Sequence, residues 1–171
     1  KGLKNKNILN LYGKPLINWS VQFAIKNKYI DECIVSTDCL KIANCAKDSG
    51  AKVPFIRDKK LASDTAKTSE VIIDVINKCE LDKNDLIVLL EPTSPYRLMK
   101  SFEKCLDILK TNNYKKLVSI QEAVSNSYRF QFFKNSEGSL ININNSNLPN
   151  DVRRQDIKKT FYLDGSFYFS K

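Results

Sequence analysis

Histidine is absent from this sequence of 171 residues, and arginine, glycine and proline occur only five times each. Without histidine, a Ser–His or Cys–His catalytic arrangement is excluded and a zinc site is disfavoured. The scarcity of glycine and proline argues against a disordered chain. The five cysteines are odd in number and lack CxxC spacing. Such cysteine usage is typical of a reducing compartment, so we expect a cytoplasmic protein.

Long apolar runs are also missing. The longest, Leu86–Leu90, suits a β-strand and falls far short of the roughly 18 to 20 residues that a membrane helix needs. The first residues lack the apolar segment of a secretory signal. We therefore expect no membrane insertion.

Positive charge is in excess, with 28 basic against 19 acidic side chains and a net charge of +9. Because 23 of the basic residues are lysine and asparagine occurs 17 times, coding bias explains the excess better than a nucleic-acid surface does. The chain has few arginines and no RNP-like aromatic motif, so we expect no nucleic-acid partner. Six lysines precede the first carboxylate, Asp31, and such a local field attracts phosphates.

The apolar pattern alternates between helical and strand periodicity. Helical spacing predicts helices over Leu16–Lys28, Leu40–Asp48, Thr68–Cys79 and Met99–Lys110. Short apolar segments predict strands over Glu32–Thr37, Lys52–Ile56, Asp85–Leu90 and Lys116–Gln121, the third of them buried on both faces. This alternation is typical of βαβ units. We expect one α/β domain over residues 1–171, with a mostly parallel sheet flanked by helices.

After Gln121 the pattern changes to short strands and an asparagine-rich loop. Strands are predicted over Tyr128–Phe133, Ser139–Ile143 and Phe161–Phe169. We expect residues 125–160 to form a small β-rich excursion from the α/β core. The chain begins in a loop-like segment, whereas an α/β sheet normally begins with a strand, and it ends directly after a strand. We therefore expect a fragment, with a first strand and a final segment outside it.

Two basic segments could bind anions. The chain opens with a glycine among lysines, KGLKNKN, followed by GKPL at Gly13–Leu16. A glycine lets the backbone approach a phosphate and ammonium groups neutralise its charge, although the P-loop pattern is not matched. Adjacent arginines in RRQD, at Arg153–Asp156, suit a carboxylate or phosphate. The alternative for both segments is a solvated run of charge.

Two further segments lie at predicted element boundaries. In LASDT, Asp64 or Thr65 is predicted to cap the next helix, with Glu70 in its first turn. A capped helix N terminus can still bind an anion or a base edge. The predicted strand over Asp85–Leu90 ends in EPTSPYR, and ligands of open α/β sheets bind beyond the carboxyl ends of strands. A rigid turn explains the prolines of this segment but not the charged residues that bracket them.

In their order, the segments KGLxxKN, GKPLI, VSTD, LASDT, LLxPTSPxR, RRQD and xGxxY closely resemble the CMP-sialic-acid synthetases, also called acylneuraminate or nonulosonate cytidylyltransferases. The resemblance spans nearly the whole chain. It implies a Rossmann-like nucleotidyltransferase that forms homodimers, with the excursion over 125–160 on the dimerisation and sugar side. It also implies transfer of CMP from CTP to the anomeric hydroxyl of an acidic nine-carbon sugar, with release of pyrophosphate and with Mg²⁺ as cofactor.

The resemblance assigns roles to nine positions. On the nucleotide side they are Lys1, Lys6, Asn7, Arg57, Ala66 and Thr68. On the sugar side they are Glu91, Arg154 and Asp164. Lys1 and Lys6 are the catalytic candidates, because they would neutralise charge that develops on the phosphates. The family's acidic metal-binding pair aligns beyond Lys171, so we expect no metal ligand within this chain and no activity from the 171-residue polypeptide alone.

Two positions depart from the sialic-acid enzymes. Glu91 stands where those enzymes have Gln, and Asp164 stands where Asn precedes Gly. Each change replaces an amide by a carboxylate, which only accepts hydrogen bonds and repels an acidic sugar. This favours legionaminic or pseudaminic acid, whose extra acylamino groups carry N–H donors, although drift within a tolerant pocket explains it as well. The alternatives for the whole protein are a catalytically silent CTP-binding homologue, an enzyme for an eight-carbon sugar acid and, less favoured, a basic nucleic-acid-binding protein.

Overall fold

The structure is a computed structural model that describes residues 3–123, 131–143 and 158–171. Four α-helices and seven β-strands lie within these residues. The chain divides into two compact units. The first unit comprises Lys1–Val118 and Gly165–Lys171, and the second comprises Ser119–Asp164. The second unit contains the range 125–160 that the sequence sets apart.

The helices form where the apolar spacing predicts them. They are α1 (Leu16–Ile25), α2 (Leu40–Asp48), α3 (Thr68–Lys78) and α4 (Met99–Asn112). Helix α1 ends before the predicted Lys28, and the Asn27 side chain accepts the Tyr29 N–H at 3.0 Å just beyond it. Such local bonds compete with continuation of a helix. No helix in the described part of the chain has the length and apolar character to cross a bilayer.

The start of α3 differs from its predicted start. The prediction that Asp64 or Thr65 caps this helix is wrong, because the residue directly before it is Lys67. The hydroxyls of Ser63 and Thr65 instead lie 3.2 Å apart in the preceding segment. The position of Glu70 in the first turn is confirmed, and its carboxylate accepts the Lys67 N–H at 3.2 Å.

A three-stranded sheet consists of β3 (Ile87–Leu89), β7 (Phe161–Ser170) and β4 (Lys116–Glu122), in that order. Strands β3 and β7 are antiparallel, with Ile87 opposite Ser170 and Leu89 opposite Tyr168. Strand β3 was predicted to be buried on both faces, but all of its residues are only half-buried.

The predicted strands over Glu32–Thr37 and Lys52–Ile56 are reduced to one parallel bridge between Ile34 and Lys52. Backbone hydrogen bonds of 2.8 and 2.9 Å flank the bridge. Pairing does not continue as a ladder, because Pro54 has no N–H to donate. The described pairings are thus parallel at this isolated bridge and antiparallel between β3 and β7, whereas the sequence predicts a mostly parallel sheet.

A β-hairpin lies in the N-terminal segment that the sequence describes as loop-like. Strands β1 (Asn10–Leu11) and β2 (Lys14–Pro15) are antiparallel. The two residues between them, Tyr12 and Gly13, have φ angles of 49° and 87°. Two positive φ angles in a two-residue loop are typical of a type I′ turn. The Asn10 side-chain oxygen accepts the Gly13 N–H at 2.8 Å and closes the turn.

Two apolar clusters form the core of the first unit. The cluster between α1 and α2 contains Ile17, Val21, Ala43, Ala46, Ala51 and Val53. The cluster between α4 and β7 contains Phe102, Leu106, Leu109, Phe167 and Phe169. Phe23 of α1 joins the second cluster, with its ring centroid 5.9 Å from that of Phe102. Helix α1 therefore contributes side chains to both clusters.

The second unit contains a hairpin of β5 (Phe132–Lys134) and β6 (Leu140–Asn142), which are antiparallel. Strand β6 falls within the predicted Ser139–Ile143, and β5 overlaps the end of the predicted Tyr128–Phe133 and extends one residue beyond it. Elsewhere in this unit, Lys159 and Glu122 form an ion pair of 3.0 Å.

The second cluster predicts which leucines carry stability. Leu109 is 2% exposed and Leu40 is 65% exposed, although both lie on helices. We expect Leu109→Ala to lower the free energy of unfolding by about 2–5 kcal/mol, because it leaves a cavity. Leu40→Ala is the matched control and should change it by about 0.5 kcal/mol or less. Urea unfolding measures both, and equal losses would contradict this core.

Candidate functional site

The basic N-terminal segment forms a short 3₁₀-helix at Lys6–Ile8 that packs against α1 and α2. Lys6 is exposed and Asn7 is half-buried. An exposed ammonium group can neutralise a phosphate, and a side-chain amide can hydrogen-bond one. Lys1, the other predicted lysine of this loop, lies outside the described residues.

Arg57 follows the Lys52 bridge and lies next to the VSTD segment. Its N–H donates to the Thr37 carbonyl at 2.9 Å, and its guanidinium is 3.7 Å from the Asp38 carboxylate. The Nε atom of Arg57 is buried without a hydrogen-bond partner among the described residues, and so is the Ser36 hydroxyl. An unpaired buried donor costs about 1–3 kcal/mol, so a ligand that accepts this hydrogen bond would gain affinity.

The other two predicted cytosine-pocket residues lie before and at the start of α3. Ala66 is half-buried and its N–H donates to the Ser63 carbonyl at 3.3 Å. Thr68 is exposed and is the first residue of the helix. The convergence of these residues with Lys6 and Arg57 on one nucleotide site stays a prediction.

The EPTSPYR segment forms a turn whose first carbonyl is surrounded by donors. The Glu91 carbonyl accepts Nη2 of Arg97 at 2.6 Å and the Ser94 N–H at 3.1 Å. The Ser20 hydroxyl of α1 lies 3.5 Å from the same oxygen. The charged residues at the two ends of the segment are thus in direct contact through the Glu91 carbonyl.

Arg97 also contacts two elements outside the turn. Its Nε donates to the Ser166 carbonyl of β7 at 2.8 Å, and its Nη1 donates to the Ser20 hydroxyl at 2.9 Å. Ser20 is 5% exposed on the apolar side of α1. The sequence identifies Arg97 as unusual but not its partners. The sequence offers one indication that Ser20 has a partner, namely that it is a polar residue on the apolar side of α1.

Gly165 lies directly against this turn. A Cβ atom at this position would be 2.5 Å from the Ser94 hydroxyl oxygen and 3.5 Å from Oε2 of Glu91. The φ angle of Gly165 is +75°, which side chains rarely adopt. Glycine is therefore required for the close approach of β7 to Ser94 and Glu91.

The remaining predicted sugar-side residues lie outside the first unit. Asp164 belongs to the second unit, where its carboxylate accepts a hydrogen bond from the Ser119 hydroxyl. Arg154 falls outside the described residues. The predicted sugar-side roles of Glu91, Asp164 and Arg154 stay predictions.

The described residues offer no metal cluster, and three of their thiols are not activated. Within residues 3–123, 131–143 and 158–171, no three His, Cys, Asp or Glu side chains are grouped so that they could hold a metal ion. Burial raises the pKa of Cys33 to about 11 and also raises the pKa values of Cys45 and Cys79. These thiols are protonated at neutral pH and are poor nucleophiles.

A family model described as "Cytidylyltransferase" matches residues 1–165. The chain belongs to the cytidylyltransferase family. It is 37% identical over 122 residues to a CMP-N,N'-diacetyllegionaminic acid synthase of Legionella pneumophila, which covers 70% of the chain and 52% of that protein. It is 31% identical to a pseudaminic acid cytidylyltransferase of Campylobacter jejuni, over 99% of the chain and 72% of that protein. It is also 31% identical to an N-acylneuraminate cytidylyltransferase B of Danio rerio, over 99% of the chain and 39% of that protein.

The fold of this chain resembles that of a solved synthetase. The match is a CMP:2-keto-3-deoxy-manno-octonic acid synthetase whose structure was determined with CTP. The TM-score is 0.69 at 16% identity, over 99% of this chain and 68% of the other. The expected α/β nucleotidyltransferase fold and the recognised family are both confirmed.

The contact of Gly165 with Ser94 predicts a coupled pair of substitutions. Gly165→Ala should lower the free energy of unfolding by about 1–3 kcal/mol, because it combines a positive φ with a steric clash. In a Ser94→Ala background the nearest clashing atom is gone, so the same change should cost less. Urea unfolding of the four proteins in this cycle measures the coupling. Additive losses would contradict the close approach.

Proposed function

We propose that the protein transfers CMP from CTP to the anomeric hydroxyl of an acidic nine-carbon sugar and releases pyrophosphate. The observation that carries the proposal is the family match over residues 1–165. It is supported by relatives named for legionaminic, pseudaminic and N-acylneuraminic acids. The fold likeness to a synthetase solved with CTP agrees with it. The chain spans 52% of the Legionella relative and 39% of the Danio rerio relative.

Nucleotide binding is assigned to the basic segment and to Arg57. The exposed ammonium of Lys6 would pair with the triphosphate, and the amide of Asn7 would hydrogen-bond the nucleotide. The buried Nε of Arg57, which lacks a partner among the described residues, would donate to the ligand in the cytosine pocket. Ala66 and Thr68 would line that pocket.

The reaction proposed is an in-line displacement at the α-phosphorus. The sugar hydroxyl gives its proton to water and forms the new O–P bond, while the bond between the α-phosphorus and the oxygen that bridges to the β-phosphorus breaks and pyrophosphate leaves. Such transfers depend mainly on positioning and on neutralisation of charge. Lys6 would contribute the neutralisation, together with Lys1.

Magnesium is proposed to enter with the triphosphate, because this ion is often held by substrate phosphates and only one or two carboxylates. The described residues present no cluster that would hold it alone. No described residue is therefore assigned as a ligand, and no step is derived from the ion. The cytoplasm is the proposed location, because the cysteine usage is typical of a reducing compartment.

We expect the acidic sugar to be of the legionaminic or pseudaminic type. Glu91 is half-buried beside Gly165 and Ser94, so its carboxylate could accept N–H donors from an acylamino group. N-acetylneuraminic acid offers fewer such donors and brings the same negative charge. Drift within a tolerant pocket remains the alternative explanation for Glu91.

A homodimer is proposed through the second unit. Large apolar side chains are exposed on its strands, including Phe133 (62%), Leu140 (67%) and Phe161 (54%). Exposed large apolar side chains of this kind are common at interfaces. A second copy of the same chain is the proposed occupant.

The activity test uses the full-length protein with CTP, Mg²⁺ and each of N,N'-diacetyllegionaminic, pseudaminic and N-acetylneuraminic acid. We expect pyrophosphate release with the first or second sugar at a kcat/KM about tenfold above that with the third, a difference of about 1.4 kcal/mol. Glu91→Gln should reduce this preference. A clear preference for N-acetylneuraminic acid would reject the sugar assignment.

The same experiment separates the proposed enzyme from a silent homologue. A protein that only binds CTP should show a CTP-dependent rise in melting temperature but release no pyrophosphate with any of the three sugars. That outcome would reject the proposed activity. An eight-carbon sugar acid added as a fourth substrate tests the remaining alternative.

Lys6 can be tested against a neighbouring lysine. Lys6→Gln should lower kcat/KM by about 10²-fold, because it removes the positive charge that would stabilise the phosphates in the transition state. Lys4 is also exposed in the same segment, so Lys4→Gln is the matched control and should change kcat/KM by less than about threefold. Steady-state pyrophosphate release measures both. Equal effects would show that only the general positive field matters.

The dimer can be tested with two matched exposed leucines. Leu140 in β6 is 67% exposed and Leu40 in α2 is 65% exposed. Leu140→Glu should shift the sedimentation velocity profile from dimer to monomer, because it buries an unpaired charge in the interface. Leu40→Glu should leave the dimer intact. A monomeric wild type, or a dimer insensitive to Leu140→Glu, would contradict the proposed interface.

A further inference from the structure

The Glu91 carbonyl is unusual in the number of donors around it. Arg97 Nη2 donates at 2.6 Å and the Ser94 N–H at 3.1 Å, and the Ser20 hydroxyl lies at 3.5 Å. A carbonyl oxygen has two lone pairs, so the Arg97 and Ser94 bonds already satisfy it. The peptide group between Glu91 and Pro92 is therefore held in one orientation.

Arg97 holds that peptide group against the rest of the first unit. Its other two bonds reach the Ser166 carbonyl of β7 at 2.8 Å and the Ser20 hydroxyl of α1 at 2.9 Å. Arginine presents its donors in a rigid planar fork, which is suited to acceptors on different sides. Lysine has one flexible ammonium group and cannot reproduce this geometry.

The Glu91 side chain emerges from this fixed backbone. Its Oε2 atom would be 3.5 Å from a Cβ at Gly165, which shows how closely the carboxylate lies beside β7. Arg97 bonds both the Glu91 carbonyl and the Ser166 carbonyl next to Gly165. One guanidinium group therefore hydrogen-bonds both the backbone of Glu91 and the part of β7 that lies beside its carboxylate.

We propose that Arg97 is a positioning residue that fixes the Glu91 carboxylate for recognition of the acidic sugar. The proposal rests on the proposed function, because it concerns the sugar side of the same site. Arg97 acts through the backbone of Glu91 and through β7, and it does not itself contact the sugar or the nucleotide. Its loss should therefore weaken sugar binding more than CTP binding.

The test compares Arg97→Lys with the full-length wild type, using whichever of the three nine-carbon sugars the wild type turns over fastest. We expect the KM for the sugar to rise about tenfold, because the carboxylate loses its fixed position. The KM for CTP should stay within about twofold. Ser20→Ala removes one acceptor of the guanidinium and should shift the sugar KM in the same direction, by less.

Two controls separate positioning from simple loss of stability. Leu109→Val, in the core between α4 and β7, should lower the melting temperature without changing the sugar KM. In a Glu91→Ala background, Arg97→Lys should raise the sugar KM by less than about twofold further, because the group that it positions is gone. Equal rises in the KM for sugar and CTP would overturn the proposal, and so would an undiminished effect in the Glu91→Ala background.

A measurement that needs no activity keeps the two proposals distinguishable. Hydrogen exchange of the Ser94 amide, which donates to the Glu91 carbonyl, should be faster in Arg97→Lys by about tenfold or more, with amides of α2 unchanged. If the wild type releases no pyrophosphate with any sugar, the proposed function fails. The exchange rate then still tests whether Arg97 fixes the backbone of Glu91. Unchanged exchange at Ser94 would overturn the role of Arg97 on its own.

Discussion

The packing of two β7 phenylalanines against α4 is the contact on which the candidate site depends. The Phe102 ring lies 5.5 Å from Phe167 and 5.3 Å from Phe169, centroid to centroid, and all three side chains are almost fully buried. Aromatic side chains of this kind bury about 150–250 Å² each, so they dominate the energetics of the cluster. Because side chains alternate along a strand, fixing Phe167 and Phe169 also fixes Gly165 and Ser166. The apolar core therefore determines where β7 meets the turn at Glu91.

Polar contacts at that turn fix its position relative to the apolar core. Ser20 is buried on α1, which contributes to both apolar clusters, and Arg97 joins it to the turn and to β7. A half-buried guanidinium is acceptable only when its donors are satisfied, and the bonds to Ser20, Glu91 and Ser166 occupy three of its nitrogens. The prolines limit the backbone conformations of the turn, and the guanidinium selects its orientation relative to the core. Stability and site geometry are thus carried by the same residues.

Much of the helical framework could be predicted from the sequence, because apolar spacing is a local property. Helix α2 has the predicted bounds, Leu40–Asp48. Long-range partners are different, since Arg97 bonds residues 69 and 77 positions away and only the fold brings them together. The strand predicted over Lys52–Ile56 is reduced to a single bridge at Lys52, because Pro54 interrupts the pairing. The hairpin at Tyr12 was not predicted because a tyrosine with φ of 49° is not the residue that a type I′ turn favours.

Asp164 shows why the departures from the sialic-acid enzymes matter chemically. Its carboxylate accepts the Ser119 hydroxyl, a bond that the side-chain oxygen of an asparagine could accept equally well. The replacement of an amide by a carboxylate therefore leaves this contact in place. What changes is the other terminal atom, which becomes a charged acceptor where an amide would offer two N–H donors. A carboxylate near a charged acceptor of this kind is repelled unless a donor or a cation lies between them. Glu91 likewise presents a charged acceptor where an amide would offer N–H donors, and this chemistry is the basis of the proposed preference for a sugar with more N–H groups.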